Sequence, residues 1–293
     1  MTDPIRLLLQ CTISYAPDDW HVGRFSLLRD EIAKVADVVA RNREPDRKGD
    51  DPVLANLSRE AFDEVWLIGV DGGTALSARD IAGINAFQRE GGGLLTARDH
   101  QNMGMWLRQL DGVGQAHFFH GEGCCEPDPG RLCPDDHDTP SISWPNYHSG
   151  RNGDVQAIVA VEPLHPLLRD DALPGGRVAR FPSHPHEGAV GAPANEARAR
   201  VVARGKSRST GREFDLVVAF ERTAAAPARA IAESSFHHFA DYNWDIARGS
   251  PSFVTETPGD QIRREPTLLD DVRTYVRNAV AWLAPSDLKK EVT

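Results

Sequence analysis

Three short runs of the chain, IRLLLQCTI (5–13), EVWLIGV (64–70) and LLTA (94–97), carry apolar residues at nearly every position instead of at alternate ones. A strand with one wet face alternates; a strand without alternation is buried on both faces. Runs of this kind demand a parallel sheet covered by helices on either side. The intervening segments supply the helices. Residues 24–41 place Phe25, Leu28, Ile32, Val35 and Val39 on one helical face. Ser77 is an N-cap for a helix through Arg89, which Gly91-Gly92-Gly93 ends. The first hundred residues therefore read βαβαβ.

Further on, Phe118-Phe119 reads as a strand, and from His120 to Gly153 periodicity stops in a stretch rich in Gly, Pro, Asp and His. That is too long for an ordinary connection and predicts a functional loop, either a lid or an interface segment. QAIVAVE (156–162) is a strand, and RARVVARG (198–205) and EFDLVVAFE (213–221) form a hairpin across Thr210-Gly211. ARAIAESS (228–235) is the last strand, and LLDDVRTYVRNAVAWLA (268–284) is an amphipathic closing helix. With no repeats and no linker, 1–293 reads as a single α/β domain with an insertion at about 120–153.

Charge narrows the partners. Lys plus Arg number 33 against 43 Asp plus Glu, a net charge of -10. Such a surface offers no attraction to nucleic acid or an anionic membrane. No apolar run reaches the roughly 20 residues of a membrane span, and the N-terminal run is short for a signal peptide, so a cytoplasmic protein is expected. A homo-oligomer is compatible with these totals. Cys11 reads as a buried thiol. Cys124, Cys125 and Cys133 lack the paired spacing of a zinc site.

Several stretches resemble a known family. FDEVWLIGV followed by a helix and FQREGGGLLTARDH, LHPLLR (164–169) followed by FPSHPHEG (181–188), and the closing VRNAVAWLAP (276–285) are similar to the ThuA-like (trehalose utilisation) branch of the class I glutamine amidotransferase-like superfamily. The resemblance implies a flavodoxin-like sheet and a sugar or sugar derivative as substrate. It also removes an activity. True amidotransferases carry a cysteine in a G-x-C-x-G-H-Q elbow; aligned on His100-Gln101, Ala97 takes that place, and alanine cannot attack a carbonyl. Thr96 would need an adjacent base to replace it.

Polar clusters follow the strand ends. Arg98-Asp99-His100 comes after LLTA; His120-Gly121-Glu122 follows Phe119; Asn146-Tyr147-His148 lies in the insertion; His184-Pro185-His186-Glu187 forms a turn; and SSFHHFADYNWD (234–245) follows the last strand. In open α/β sheets ligands bind at the carboxyl ends of strands, near the topological switch. His238, His237, His100 and Asp99 are the candidate catalytic groups. Arg98, Tyr147, His148, Asn243 and Trp244 are candidates for holding substrate, Arg98 through an anionic or polyhydroxy group. Either His237 or His238 faces the ligand and the other packs inward. His184, His186 and Glu187 are candidate ligands of a divalent metal, Zn, Fe or Mn, since imidazole and carboxylate suit all three. Metal-free acid–base catalysis by histidine and purely structural histidines stay open beside that reading. Asp99 could alternatively cap a helix through Leu110. The chain is expected to be a hydrolase or lyase, in which His238→Ala removes turnover and not folding; the competing reading is a non-catalytic binding or assembly protein on an amidotransferase-like scaffold.

Overall fold

The protein is described from a computed structural model, which covers residues 4–73, 75–121, 139 and 141–285. Glu122, Cys124, Cys125 and Cys133 lie outside the described residues. The strands are β1 (Arg6–Cys11), β2 (Asp37–Asn42), β3 (Glu64–Ile68), β4 (Gly93–Ala97), β5 (His117–Phe118), β6 (Val155–Ala157), β7 (Val159–Ala160), β8 (Arg180–Pro182), β9 (Ala189–Val190), β10 (Ala199–Lys206), β11 (Glu213–Phe220) and β12 (Ala230–Glu233). The α-helices are α1 (Ser26–Ile32), α2 (Ala78–Arg89), α3 (Asp241–Trp244), α4 (Gln261–Arg264) and α5 (Leu269–Leu283).

Eight strands form one sheet in the order β2-β1-β3-β4-β12-β11-β10-β7. β2, β1, β3, β4 and β12 run parallel. The β10–β11 hairpin and β7 extend the sheet antiparallel. The unbroken apolar runs are explained by the two cores. Leu7, Leu9 and Cys11 of β1 pack with Leu28 and Ile32 of α1 and Val272 and Val276 of α5. Leu8 points the other way, into the core holding Ile81, Ile84 and Phe87 of α2. No helix among the described residues is long and apolar enough to cross a membrane.

The start of α2 is the clearest local signal. Ser77 Oγ accepts from Asp80 N at 3.1 Å, and Asp80 Oδ2 accepts from Ser77 N at 3.0 Å, a reciprocal capping box. Gly91 at φ +91° takes the left-handed step that ends the helix. Ser77→Ala is expected to cost about 1 kcal/mol, measured by urea denaturation; an unchanged midpoint would show that the box contributes nothing.

Three sequence expectations change. The 24–41 helix stops at Ile32, and Val39 belongs to edge strand β2, where it is half exposed. An edge strand with one partner buries less, so Val35 and Val39 mimic a helical stripe without facing the core. QAIVAVE is two strands, not one: β6 pairs with β8 outside the main sheet, while β7 joins β10. Asp99 caps no helix; the segment after it turns, with Gln101 at φ +49°, and only Met105–Gln109 coils, as a 3-10 helix.

Candidate metal and acid–base site

The loops after β4 and β12 and the His184–Glu187 turn meet at the carboxyl end of the sheet around a cavity of about 240 Å³. Asp99, His100, His184, His186, His237 and Glu256 form its polar wall, and Trp20, Met103, Ile142, Phe253 and Val254 its apolar one. The topological switch lies between β1 and β3, whereas the cavity sits over the ends of β4 and β12. The loop after β1 contributes Trp20 alone to it.

Asp99 is the centre. Its Oδ2 lies 2.8 Å from His100 Nδ1, 3.5 Å from His184 Nε2 and 3.5 Å from His237 Nε2. Ser235 Oγ donates to Oδ1 at 3.2 Å. Burial alone would favour the neutral acid, but the surrounding imidazoles of His184, His100 and His237 outweigh it and hold the carboxyl well below its usual range. Burial, reinforced by His237, pushes the His184 imidazole far down, so it is neutral at physiological pH. Asp99, His100 and His184 each offer an atom within 4.8 Å of the others, a spacing that could hold a metal ion. His184 Nε2 is buried and has no hydrogen-bond partner, which suits a ligand atom aimed at a cation.

His186 completes the wall. Its Nε2 lies 2.9 Å from Glu256 Oε1 and its Nδ1 3.3 Å from Asn146 Oδ1. The contact with His186 keeps the Glu256 carboxyl below its normal range.

Adjacent His237 and His238 part company because they sit on a 3-10 turn, Phe236–His238, begun by Ser235 Oγ accepting from His237 N. Successive side chains on such a turn point about 120° apart. His237 faces the cavity, stacked on His184 with ring centroids 3.4 Å apart, and Trp20 meets its edge. His238 points inward. Its Nε2 meets Glu187 Oε2 at 3.1 Å and its Nδ1 meets Glu233 Oε2 at 3.2 Å. Tyr275 OH donates to the other oxygen of Glu233. Burial works against charge on His238, but Glu187 and Glu233 dominate and raise it to about 10.

Several candidates are therefore corrected. His238 does not line the cavity, and neither does Glu187. Glu187 turns away from His184 and His186 to accept from Ser149 Oγ at 2.8 Å and Gln156 Nε2 at 2.6 Å, so it is no ligand partner for them. Arg98 is fully buried. Its guanidinium donates to the carbonyls of Met103, Gln101 and Phe118 and lies 4.4 Å over Phe119, leaving no face for substrate. Tyr147 stacks on Phe214 at 4.6 Å, and its backbone pairs with that of Glu187. Trp244 Nε1 donates to the His238 carbonyl. His148 takes part through its backbone carbonyl, which accepts from Arg208 N. Asn243 is not on the wall but holds His237 from behind, through Oδ1 at 3.1 Å from Nδ1. Glu256, Asn152 and Trp20 carry no sequence signal of their own: each is a single residue in a loop far along the chain from its partners.

Thr96 does have a base beside it, His117 Nε2 at 2.9 Å, but both are buried and the Thr96 hydroxyl donates to Ile231 O. The free cysteine among the described residues, Cys11, is buried within β1, and burial raises its thiol to about 12. Neither offers an amidotransferase nucleophile.

No family model matches the chain, and no curated protein does. Solved structures do. A ThuA-like protein from Parabacteroides merdae superposes with a TM-score of 0.54 over 96% of this chain and 90% of its own, at 15% identity. The fold resembles that of this ThuA-like protein. The glutaminase domain of Trypanosoma brucei CTPS aligns over 97% of this chain and 98% of its own, at 13% identity and a TM-score of 0.41. The expected ThuA-like architecture is thus met in the fold, with an eight-stranded, mixed, mostly parallel sheet.

Proposed function

We propose that the chain is an enzyme, a hydrolase or lyase, that acts on a small polar substrate at a metal-assisted His/Asp site. One observation carries this reading: a single buried carboxylate oxygen, Asp99 Oδ2, stands within 3.5 Å of three imidazole nitrogens on a cavity wall. Burying such a group of ionisable side chains is costly without a functional return. Asp99 and His184, with a further histidine, would hold the ion. A divalent cation bound there would polarise a substrate oxygen and lower the pKa of a bound water.

The remaining steps belong to the chain. His100, oriented by Asp99 through Nδ1, keeps its other nitrogen for proton transfer. His186 Nε2 and Glu256 Oε1 lie 2.9 Å apart on the same wall, a second imidazole–carboxylate pair. The apolar side, including the exposed ring of Phe253 at the cavity, fits the carbon face of a substrate. The volume is below the roughly 300–1,000 Å³ of drug-sized ligand pockets, so the substrate is small. The ThuA-like fold favours a sugar or sugar derivative. Loss of the elbow cysteine at Ala97 favours a second reading, a non-catalytic binding protein on the same scaffold.

Elemental analysis of untagged protein, wild type beside His184→Ala and Asp99→Ala, tests the site. Near-stoichiometric metal in the wild type is expected. Each variant should weaken the ion by more than the roughly 10–100-fold that loss of an outer-sphere partner costs. Wild type without metal after resupply of Zn, Mn and Fe would sink the metal-assisted reading. Metal-loaded protein that binds sugars in titration yet turns over none of a panel, followed by NMR, would favour the binding protein.

A further inference from the structure

One wall of the cavity is a pile of three flat rings. His184 lies face to face on His237, with centroids 3.4 Å apart and planes 10° from parallel. The other face of His237 rests on Phe236 at 4.3 Å and 26°, and Trp20 meets its edge at 4.9 Å. Phe236 is itself anchored in the core, against Phe25. Two asparagines hold the upper rings in register. Asn152 Oδ1 lies 2.8 Å from His184 Nδ1, and Asn243 Oδ1 lies 3.1 Å from His237 Nδ1. Asn243 Nδ2 donates to Asn152 Oδ1 at 3.0 Å and to the Ser183 carbonyl at 2.9 Å. The Nε2 edges of both rings come out on the same side, each 3.5 Å from Asp99 Oδ2.

The stack decides which ring can reach an ion. The lone pair of an imidazole nitrogen lies in the plane of its ring, so two stacked rings aim their lone pairs along parallel lines and not at one point. An ion bonded to both nitrogens at about 2.0–2.1 Å would stand about 1.7 Å out of each plane, roughly 55° from either lone pair. At most one of the two rings ligates. His184 is that one: its Nε2 is buried without a hydrogen-bond partner, and it brings a ligand atom within 4.8 Å of atoms of Asp99 and His100. His237 then has a different part. Two like neutral rings superposed face to face are the disfavoured alignment of aromatic quadrupoles. Coordination of a cation draws electron density out of the His184 ring, and the face of a neighbouring ring attracts an electron-poor partner as it attracts a cation.

We infer that His237 is a positioning residue and not a ligand: its ring is a plate that fixes the plane of His184 and attracts that ring once His184 holds a first-row divalent cation. This assignment rests on the metal-assisted reading above and refines it. His237 acts as outer-sphere partners do in general, by orienting a ligating histidine, but it does so through its flat face and not through its nitrogens. Phe236 behind it and Trp20 at its edge keep the plate from swinging away from His184.

The test measures affinity for Zn²⁺ by competition with a chromophoric chelator, alongside circular dichroism of each variant. His237→Ala, which removes the plate, is expected to lose about 10–100-fold, the cost of an outer-sphere partner. His237→Phe, which restores a flat ring without nitrogens, should stay within about tenfold of wild type, above the range of that loss. Because a larger ring in a buried slot can disturb folding, wild type with ¹⁵N-labelled histidines is also loaded with ¹¹³Cd²⁺ and examined by NMR. Scalar coupling of cadmium to Nε2 of His184, with none to His237, supports the inference. Coupling to His237, unchanged affinity in His237→Ala, or a folded His237→Phe as weak as His237→Ala overturns it. Wild type that binds neither Zn²⁺ nor Cd²⁺ fails the underlying metal reading as well, a result distinct from coupling that appears on the other ring.

Discussion

Replacing His238 with alanine is expected to lower folding stability by about 3–5 kcal/mol, a drop of roughly 10 °C in melting temperature. The imidazolium stands between Glu187 and Glu233, all three side chains essentially inaccessible to solvent. Removing it strands two buried carboxylates without their counter-charge, which is far more expensive than losing a surface pair. The expectation that His238→Ala spares folding is therefore reversed. The sign with pH follows from the direction of the shift. His238 is raised from 6.5 to about 10, so its stabilisation is fully present below pH 6.5 and is lost as pH rises through about 10. Tyr275, whose hydroxyl is pushed well above its normal range by burial and by Glu233, resists ionisation in the same alkaline window. Melting temperatures measured from pH 6 to 10 should fall steadily in wild type and more shallowly in His238→Ala. Parallel curves would show that the Glu187–His238–Glu233 group is not the titrating element.

Arg98→Ala is expected to be as damaging, by about 3 kcal/mol or more, since each hydrogen bond to a charged donor contributes about 1.5–3 kcal/mol. The guanidinium ties the carbonyls of Gln101, Met103 and Phe118 together and covers the Phe119 ring. It thereby shapes the turn that begins with Asp99 and His100. Loss of the planar fork should loosen that turn, so the affinity of the proposed metal site should fall together with stability. Arg98→Lys is expected to recover little, because a single ammonium cannot reach three carbonyls spread around a planar donor. Stability near wild type in Arg98→Lys, measured by chemical denaturation, would contradict this account. A substrate-binding arginine would behave differently, losing ligand affinity with the fold intact.

The two arginine and histidine cases show where reading along the chain stops. Arg98, Glu187 and His238 have the composition of site residues and sit beside true cavity residues: Asp99 and His100 next to Arg98, His186 next to Glu187, His237 next to His238. Residue type and position after a strand bring a cluster to the carboxyl end of the sheet. They do not say which member of the cluster turns outward. That is settled by backbone torsions over one or two residues, such as the 3-10 turn at Phe236–His238 and the left-handed Gln101.

Unbroken apolar runs, the Ser77 cap, the β10–β11 hairpin and the closing helix determined the α/β layers from local information alone, because burial on both faces and capping are written in adjacent residues. The absence of an elbow cysteine was equally plain. Only the tertiary structure decided the site. Asp99, Asn152, His184 and Glu256 come from separate loops and Asn243 from the short α3, and their distances depend on how those segments pack. The Ser183 carbonyl, a backbone atom common to every residue and therefore silent in any sequence, holds the Asn243 amide that stands behind His237.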